Sequence, residues 1–377
     1  KAEALPPHSK YNRRVLDIAL RNVTFRHDGG FALREVTLTF PRSTHTAIAG
    51  PAACGASTLL ALIAGTLRPQ SGDIILGQRR VNDLKAANRP LLFATSAIDV
   101  PQRWSVQHAL IAAVRTRKLD REDRHQEYAL AAEKWELAPL LERRITTLSS
   151  TERARVHFAR IELLRPAILI ADRILEGVSA SAHMSLTDMF FRTLRVHGTT
   201  VVFAPSSRDE LAMTDLVVAL NHGRVTQTGT AAEVFARPGE EGAALAAGEV
   251  DEIPIDIRGN TVESVIGSWE VDPPPFQGSG IALVRPSDFA PAKPGEDSDV
   301  IFGVEEAGFV GGRWLAHGVL SGGVTLRVEL PVNAGIHKGK LMALRYDPAR
   351  FTLIPRTRAP LQTTVPTDVV PPMRDTR

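Results

Sequence analysis

The segment that most limits the fold runs from Thr46 to Ala64. Thr46-Ala47-Ile48-Ala49-Gly50 reads as a short buried strand, the next residues as a small-residue loop around Gly55, and Ser57 to Ala64 as a buried helix. That order gathers backbone amides and the positive end of a helix in one place, which is what phosphate groups require. At 377 residues and 44% apolar content, the chain can bury a large core and divide into two or three domains. It contains no apolar run near the ~20 residues of a membrane-spanning helix, and the start Lys1-Ala2-Glu3-Ala4-Leu5-Pro6 lacks a signal-peptide pattern. Any membrane role is therefore expected to be peripheral. The single cysteine, Cys54, excludes an internal disulfide framework and fits a reducing compartment. A formal charge of +3, evenly mixed along the chain, argues against nucleic acid as a partner.

Before this segment, Val15 to Phe40 alternates apolar and polar residues around His27-Asp28-Gly29-Gly30, the pattern of an antiparallel hairpin. After it, Trp104 to Leu141 is charged and helix-rich, and its run from Arg115 to Glu127 reads as a solvated face. An amphipathic helix over Thr151 to Leu164 precedes strands at Ala167–Ala171, Thr199–Ala204 and Leu216–Leu220, which gives a repeating α/β pattern up to about Pro238. Composition shifts at Pro238-Gly239-Glu240-Glu241-Gly242. Beyond it lie short strand-like runs between turn signals at Gly259-Asn260, Pro273-Pro274-Pro275, Pro294-Gly295, Gly311-Gly312 and Gly322-Gly323, which suggest a small barrel or sandwich. The tail after Arg356 is rich in Pro, Thr and charge and is expected to lack order.

Four segments carry a family resemblance: Gly50-Pro51-Ala52-Ala53-Cys54-Gly55-Ala56-Ser57-Thr58, Leu148-Ser149-Ser150-Thr151-Glu152-Arg153, Ile168-Leu169-Ile170-Ala171-Asp172, and Gly223-Arg224-Val225 running into Gly229-Thr230. Their order resembles the ATP-binding subunits of ABC importers for carbohydrates and polyols that end in a regulatory barrel. The resemblance implies an α/β P-loop domain over 14–238 with a helical subdomain at about 104–150. It further implies an all-β, OB-like TOBE/MOP-type barrel over 239–358 and a flexible tail over 359–377. ATP and magnesium are the implied ligands. Gly50, Cys54, Gly55, Ala56, Ser57 and Thr58 fall on the phosphate loop, His27 on the adenine-stacking position, and Ser57 and Asp172 on the magnesium positions.

The departures from the family pattern are concentrated at this site. Ala56 stands where the phosphate-binding lysine is expected, and losing one charge-assisted hydrogen bond lowers affinity about ten- to a hundredfold. Ala53 replaces a glycine, which threatens the tight loop if that position needs positive φ. Arg173 occupies the position of the glutamate that deprotonates or orients the attacking water, and a guanidinium accepts no proton. It can instead pair with Asp172 or reach the outer phosphates, and the sequence leaves both open. Phe93-Ala94 fall at the expected glutamine, Ser179 at a dimer-contacting aspartate and Ser206 at a γ-phosphate histidine. These losses imply that ATP binds weakly and is not hydrolysed at this loop.

In the family each ATP lies between one subunit's loop and the other's signature. Ser149, Ser150 and Thr151 are therefore expected to contact a partner's ATP, although Ser150 and Thr151 replace glycines and Glu152 brings a negative charge. The implied assembly is a heterodimer with an active paralogous subunit, two membrane-spanning permease subunits and, indirectly, a solute-binding protein, at the cytoplasmic face of the plasma membrane. Trp104, Val106, Leu110 and Ile111 are expected either to form a docking groove for a permease helix or to pack as plain helical core. Glycerol importers with two unlike ATP-binding subunits offer one such pattern. Two rival readings stand beside it: a homodimeric sugar-importer ATPase in which Arg173 replaces the lysine, and a free regulatory protein that sequesters a partner.

Overall fold

The computed structural model describes residues 16–356 apart from 31, 102, 237, 239–243, 245–247, 249, 294–295 and 311. Phe31, the composition shift at 239–242, the turns at 294–295 and 311, and the tail over 359–377 lie outside the described residues. The chain divides into two compact units, Lys1–Val250 and Asp251–Arg377.

In the first unit, β1 (Ile18–Arg26) and β2 (Ala32–Phe40) form the antiparallel hairpin expected from alternation. Ile18, Leu20, Val23, Leu33, Val36 and Phe40 are buried. β3 (His45–Ala49) is buried along its whole length and leads through the loop into α1 (Ala56–Ala64). Then follow β4 (Ser71–Leu76), β5 (Arg79–Arg80), β6 (Leu92–Thr95), α2 (Val106–Arg115) and α3 (Arg121–Lys134). The unit continues with α4 (Ser150–Leu164), β7 (Ile168–Asp172), α5 (Ala180–Val196), β8 (Thr200–Ala204), β9 (Leu216–Asn221), β10 (Arg224–Gly229) and α6 (Ala231–Ala236).

Two sheets result, an antiparallel one in the order β2-β1-β4-β5 and a six-stranded one in the order β10-β9-β3-β8-β7-β6. All contacts of β3, β7 and β8 within the larger sheet are parallel. Strands covered on both faces read as continuous apolar runs, and Ile168-Leu169-Ile170-Ala171 and Val201-Val202-Phe203 do so. The C-terminal ends of β3 and β7, with β8 between them, meet the head of α1: the loop leads from β3 into it and Ser57 bonds to Asp172 at the end of β7. This places the phosphate-loop candidates.

In the helical region, Val106, Ala109, Leu110, Ala113 and Val114 of α2 follow the i, i+3, i+4 spacing and are all buried. Of the two expected roles, Val106 and Leu110 take the core one and not the groove, being 0% exposed, whereas Trp104 and Ile111 are half-buried. The charge run also departs from a purely solvated face. Arg117 and Arg165 both ion-pair with Glu127, and all three side chains are largely covered.

Trp135, fully buried at the end of α3, packs on Phe158, which stacks on Phe190 with ring centroids 4.2 Å apart. Its indole N–H donates to Glu162 at 2.6 Å, and Lys134 donates to the same carboxylate at 3.0 Å. Burial opposes ionisation of Glu162, but bonds from His197, Trp135 and Lys134 outweigh it and bring its pKa down to about 2.

The second unit contains β11 (Asp251–Arg258), β12 (Thr261–Ser264), β13 (Gly267–Glu270), β14 (Gly278–Val284), β15 (Phe289–Pro291) and β16 (Val300–Val310). They are followed by β17 (Arg313–Leu320), β18 (Thr325–Leu330), β19 (Leu341–Tyr346) and β20 (Thr352–Pro355). They build two five-stranded antiparallel sheets, β13-β12-β11-β14-β20 and β15-β19-β16-β17-β18, around one core that includes Ile253, Val284, Phe289, Phe302 and Leu344. Asp251, at the head of the unit, holds Arg327 with a 2.8 Å bond to its guanidinium and another to its backbone N–H.

Because the folded pKa of Glu162 lies below its ordinary value of 4.5, the stability that it contributes is complete above that value and is lost as pH falls towards about 2. Glu162→Gln is expected to destabilise the first unit by about 2–3 kcal/mol at pH 7 and by progressively less as pH falls below 4.5. Denaturant unfolding at several pH values checks this. A penalty that does not change with pH contradicts it.

Candidate functional site: a phosphate-loop cleft

The loop after β3 keeps its path through two backbone constraints. A Cβ at Gly50 would collide with the carbonyl oxygen of Leu220, so only glycine fits there. Gly55, with φ 111°, caps the N-terminus of α1. Cys54 N–H donates to the Pro51 carbonyl at 3.0 Å, and the Cys54 carbonyl accepts from Gly223 N–H at 3.0 Å. Ala53 does occupy the left-handed region, with φ 60°. The anticipated failure of the loop is corrected: the chain turns there with an alanine, at the cost of local strain.

These residues line a cleft of about 1000 Å³. Gly50, Cys54, Gly55, Ala56, Ser57 and Thr58 all border it, as do His27, Arg173 and Ser206. His27 stands edge-on to Phe25 with its Nε2 3.4 Å from Thr58 Oγ1. Ser57 Oγ donates to Asp172 Oδ1 at 3.1 Å, which ties the head of α1 to the end of β7. No charged side chain is contributed by the loop itself from Gly50 to Thr58.

Arg173 follows directly on β7. Its backbone is left-handed, with φ 46°, and held at both ends: its N–H donates to the Ala204 carbonyl and its carbonyl accepts from Glu176 N–H, each at 3.0 Å. Among the described residues it makes no ion pair, with Asp172 or any other carboxylate. Burial raises the pKa of the Cys54 thiol, an effect that backbone hydrogen bonds at Ala56 and Cys54 and the nearby charge of Arg173 partly oppose. The thiol stays protonated and unreactive.

Ser149, Ser150 and Thr151 do not border the cleft. Ser149 is the N-cap of α4: its Oγ accepts from Glu152 N–H at 3.2 Å, and the Glu152 carboxylate accepts from Ser149 N–H at 2.7 Å. Those bonds to Ser149, with lesser help from Arg143 and Arg155, lower the Glu152 pKa. The capping box and Arg143, 3.3 Å away, thus engage the charge expected to oppose a partner's phosphate. Thr151 exchanges 3.3 Å hydrogen bonds with Ser179, so the presumed dimer-contact position is fastened to the signature helix. Phe93 and Ala94 lie within β6 and pack into the cores, with no polar group at the expected glutamine.

Residues 33–175 match the family model described as ABC transporter. The chain is 27% identical over 347 residues to a protein of Agrobacterium fabrum named sn-glycerol-3-phosphate import ATP-binding protein UgpC 3, covering 89% of this chain and 97% of that protein. It is 29% identical to the UgpC protein of Rhizobium meliloti, with 82% and 89% covered. Among solved structures, cbiO1 from Clostridium perfringens superposes with a TM-score of 0.51 at 22% identity, over 58% of this chain and 90% of that one. A dimeric ATP-binding cassette bound to ADP and Pi gives 0.50 at 19%, over 56% and 98%. The first unit has the nucleotide-binding fold of ABC ATPases.

Within this unit, the structure also reveals polar groups that the sequence analysis did not single out. Arg208, Asp209, Glu176 and His183 border the cleft, and His183 pairs with the fully buried Glu210 at 3.1 Å. Burial raises the Glu210 pKa to about 7 against the opposing amides of Ser207 and Ser206. The spacing Ser207-x-x-Glu210 was the legible signal, since both halves of a capping box form there. Among the described residues no cluster of three His, Cys, Asp or Glu is placed to hold a metal ion, and no helix is long and apolar enough to cross a membrane.

Ala53→Gly is expected to stabilise the first unit by about 0.5–1 kcal/mol, because relief of left-handed strain exceeds the added unfolded-state entropy. Equilibrium unfolding beside the parent checks this. A loss of stability would mean that the exposed Ala53 methyl is held by contacts.

Proposed function

We propose that this chain is an ATP-binding subunit of an importer for sn-glycerol-3-phosphate or a related polyol, that it has lost hydrolysis at its own loop, and that it pairs with an active paralogous subunit. The solute follows from the names of the relatives, whose full length this chain nearly spans. The loss of hydrolysis rests on one observation above all: Arg173, at the end of β7 and facing the phosphate loop, stands where a proton acceptor is needed.

The site's own residues fit a triphosphate better than they fit its hydrolysis. Amides from Ala52 to Ser57 and the positive end of α1 can hold phosphate oxygens. Ser57 and Asp172, already 3.1 Å apart, are the two oxygen donors that would share magnesium with those phosphates. Magnesium supplies charge neutralisation when bound. With Ala56 for lysine, Arg173 for glutamate and Ser206 for histidine, ATP is expected to bind weakly and to stay intact.

The signature segment serves the partner. Ser149 and the first amides of α4 present donors and a favourable dipole to a phosphate brought by the other subunit. The asymmetric pair would join two permease subunits at the cytoplasmic face of the membrane and receive solute indirectly from a binding protein. Residues 14–238 act as the nucleotide-binding domain. Residues 239–358 form an OB-like regulatory barrel, a reading supported by two short-stranded antiparallel sheets around one core.

Purified alone, the chain is expected to show no ATPase activity above background at concentrations that permit dimers. Turnover that persists and disappears with Asp172→Asn overturns this reading. In the assembled importer, Ser149→Arg puts bulk and charge at the partner's γ-phosphate and is expected to lower ATPase activity at least tenfold. Ser57→Ala removes a ligand only from the idle site and should cost less than threefold. The reverse order, measured side by side in reconstituted complexes, would place the working site on this chain.

A further inference from the structure

We propose that Arg173 supplies the phosphate-directed charge that the loop itself lacks, so that the cleft retains a nucleoside triphosphate in preference to the diphosphate. This rests on the reading of the cleft as a nucleotide site.

The placement comes first. The bond from Ser57 Oγ to Asp172 Oδ1 joins the head of α1 to the end of β7, so the next residue along the chain, Arg173, comes out beside the loop and borders the same cleft as Ala53, Cys54, Gly55 and Ala56. None of those four carries charge, and the acidic groups Glu176 and Asp209 also border the cleft. A polyanion here therefore needs a cation from outside the loop.

Arg173 is available for that role. Its side chain is exposed and, among the described residues, no ion pair engages it, while Asp172 is used by Ser57. Its backbone is held in a left-handed conformation, uncommon for a residue with a side chain, by the Ala204 carbonyl and Glu176 N–H. Strain that the surrounding structure holds in place at the mouth of a cleft points to a functional constraint on where that side chain emerges. The field of Arg173 also reaches the loop, because it acts on the Cys54 thiol.

Division of labour along the phosphate chain follows from geometry. The loop amides and the head of α1 surround the inner phosphates. Arg173 approaches from the magnesium side, past Asp172, where the outermost phosphate would lie. A guanidinium there can hold two of its oxygens at once. Removing the γ-phosphate removes Arg173's partner but leaves the loop contacts in place.

The experiment titrates the purified full chain calorimetrically with ATP and with ADP, in magnesium, for the parent, Arg173→Ala and Arg173→Lys. Arg173→Ala is expected to weaken ATP binding about tenfold and ADP binding less than twofold, and Arg173→Lys to restore part of the difference. Arg208, the other arginine bordering the cleft, is unchanged in both variants. ATP affinity that survives Arg173→Ala unchanged would therefore assign the charge elsewhere and overturn the proposal. Equal losses for ATP and ADP would overturn it too, since they would mean a general role in holding the loop. A parent chain that binds neither nucleotide sinks the proposal together with the reading of the cleft on which it stands.

Discussion

The carbonyl of Leu220 lies where any side chain at residue 50 would have to go, and much of the site depends on that contact. It draws the end of β3 against β9, starts the loop from a fixed point and lets Gly55 open α1 with its amides directed into the cleft. The Cys54 carbonyl, bonded to Gly223 N–H, closes the loop from its other side. With its ends held in this way, the loop persists although Ala53 and Ala56 have replaced residues that phosphate binding would favour. The fold of the loop and the chemistry of the loop are separable, and this chain has kept the first while altering the second.

The same separation holds at the end of β7. Burial of Ile168, Leu169, Ile170 and Ala171 in the sheet places Asp172 and Arg173 regardless of what their side chains do. Position is set by apolar packing, which is indifferent to whether residue 173 accepts protons or carries a permanent positive charge. The side chain at residue 173 can thus change in chemistry without disturbing the sheet. Away from the cleft, Trp135, Lys134 and Glu162 link α3 to α4 by polar contacts whose worth depends on pH, in contrast to the apolar side chains that α2 buries.

Much of the architecture was legible in the residues. Continuous apolar runs marked β3, β7, β8 and β9, alternation marked the hairpin of β1 and β2, and the strand-loop-helix order marked the cleft. The choice between docking groove and core at Val106 and Leu110 stayed open, because spacing shows that a helix has an apolar face but not which neighbour that face meets. The partners of Glu152 were illegible for a related reason. Its charge is plain in the sequence, but the bond back to Ser149 N–H and the nearness of Arg143 exist only once α4 has formed and Arg143 has been brought beside it.

What the sequence alone determined is chemical inventory and order: no lysine at residue 56, no carboxylate at residue 173, hydroxyls at 57 and 58, and an α/β unit followed by short strands. These are properties of covalent structure and of local pattern, and no packing can change them. Only the tertiary structure decided that Ala53 turns left-handed, that Ser57 meets Asp172 across 115 positions of chain, and that Arg173 comes out at the cleft with no carboxylate partner among the described residues. Those outcomes depend on which strands become neighbours in the sheet, and that adjacency is fixed by burial of both sheet faces rather than by any one segment.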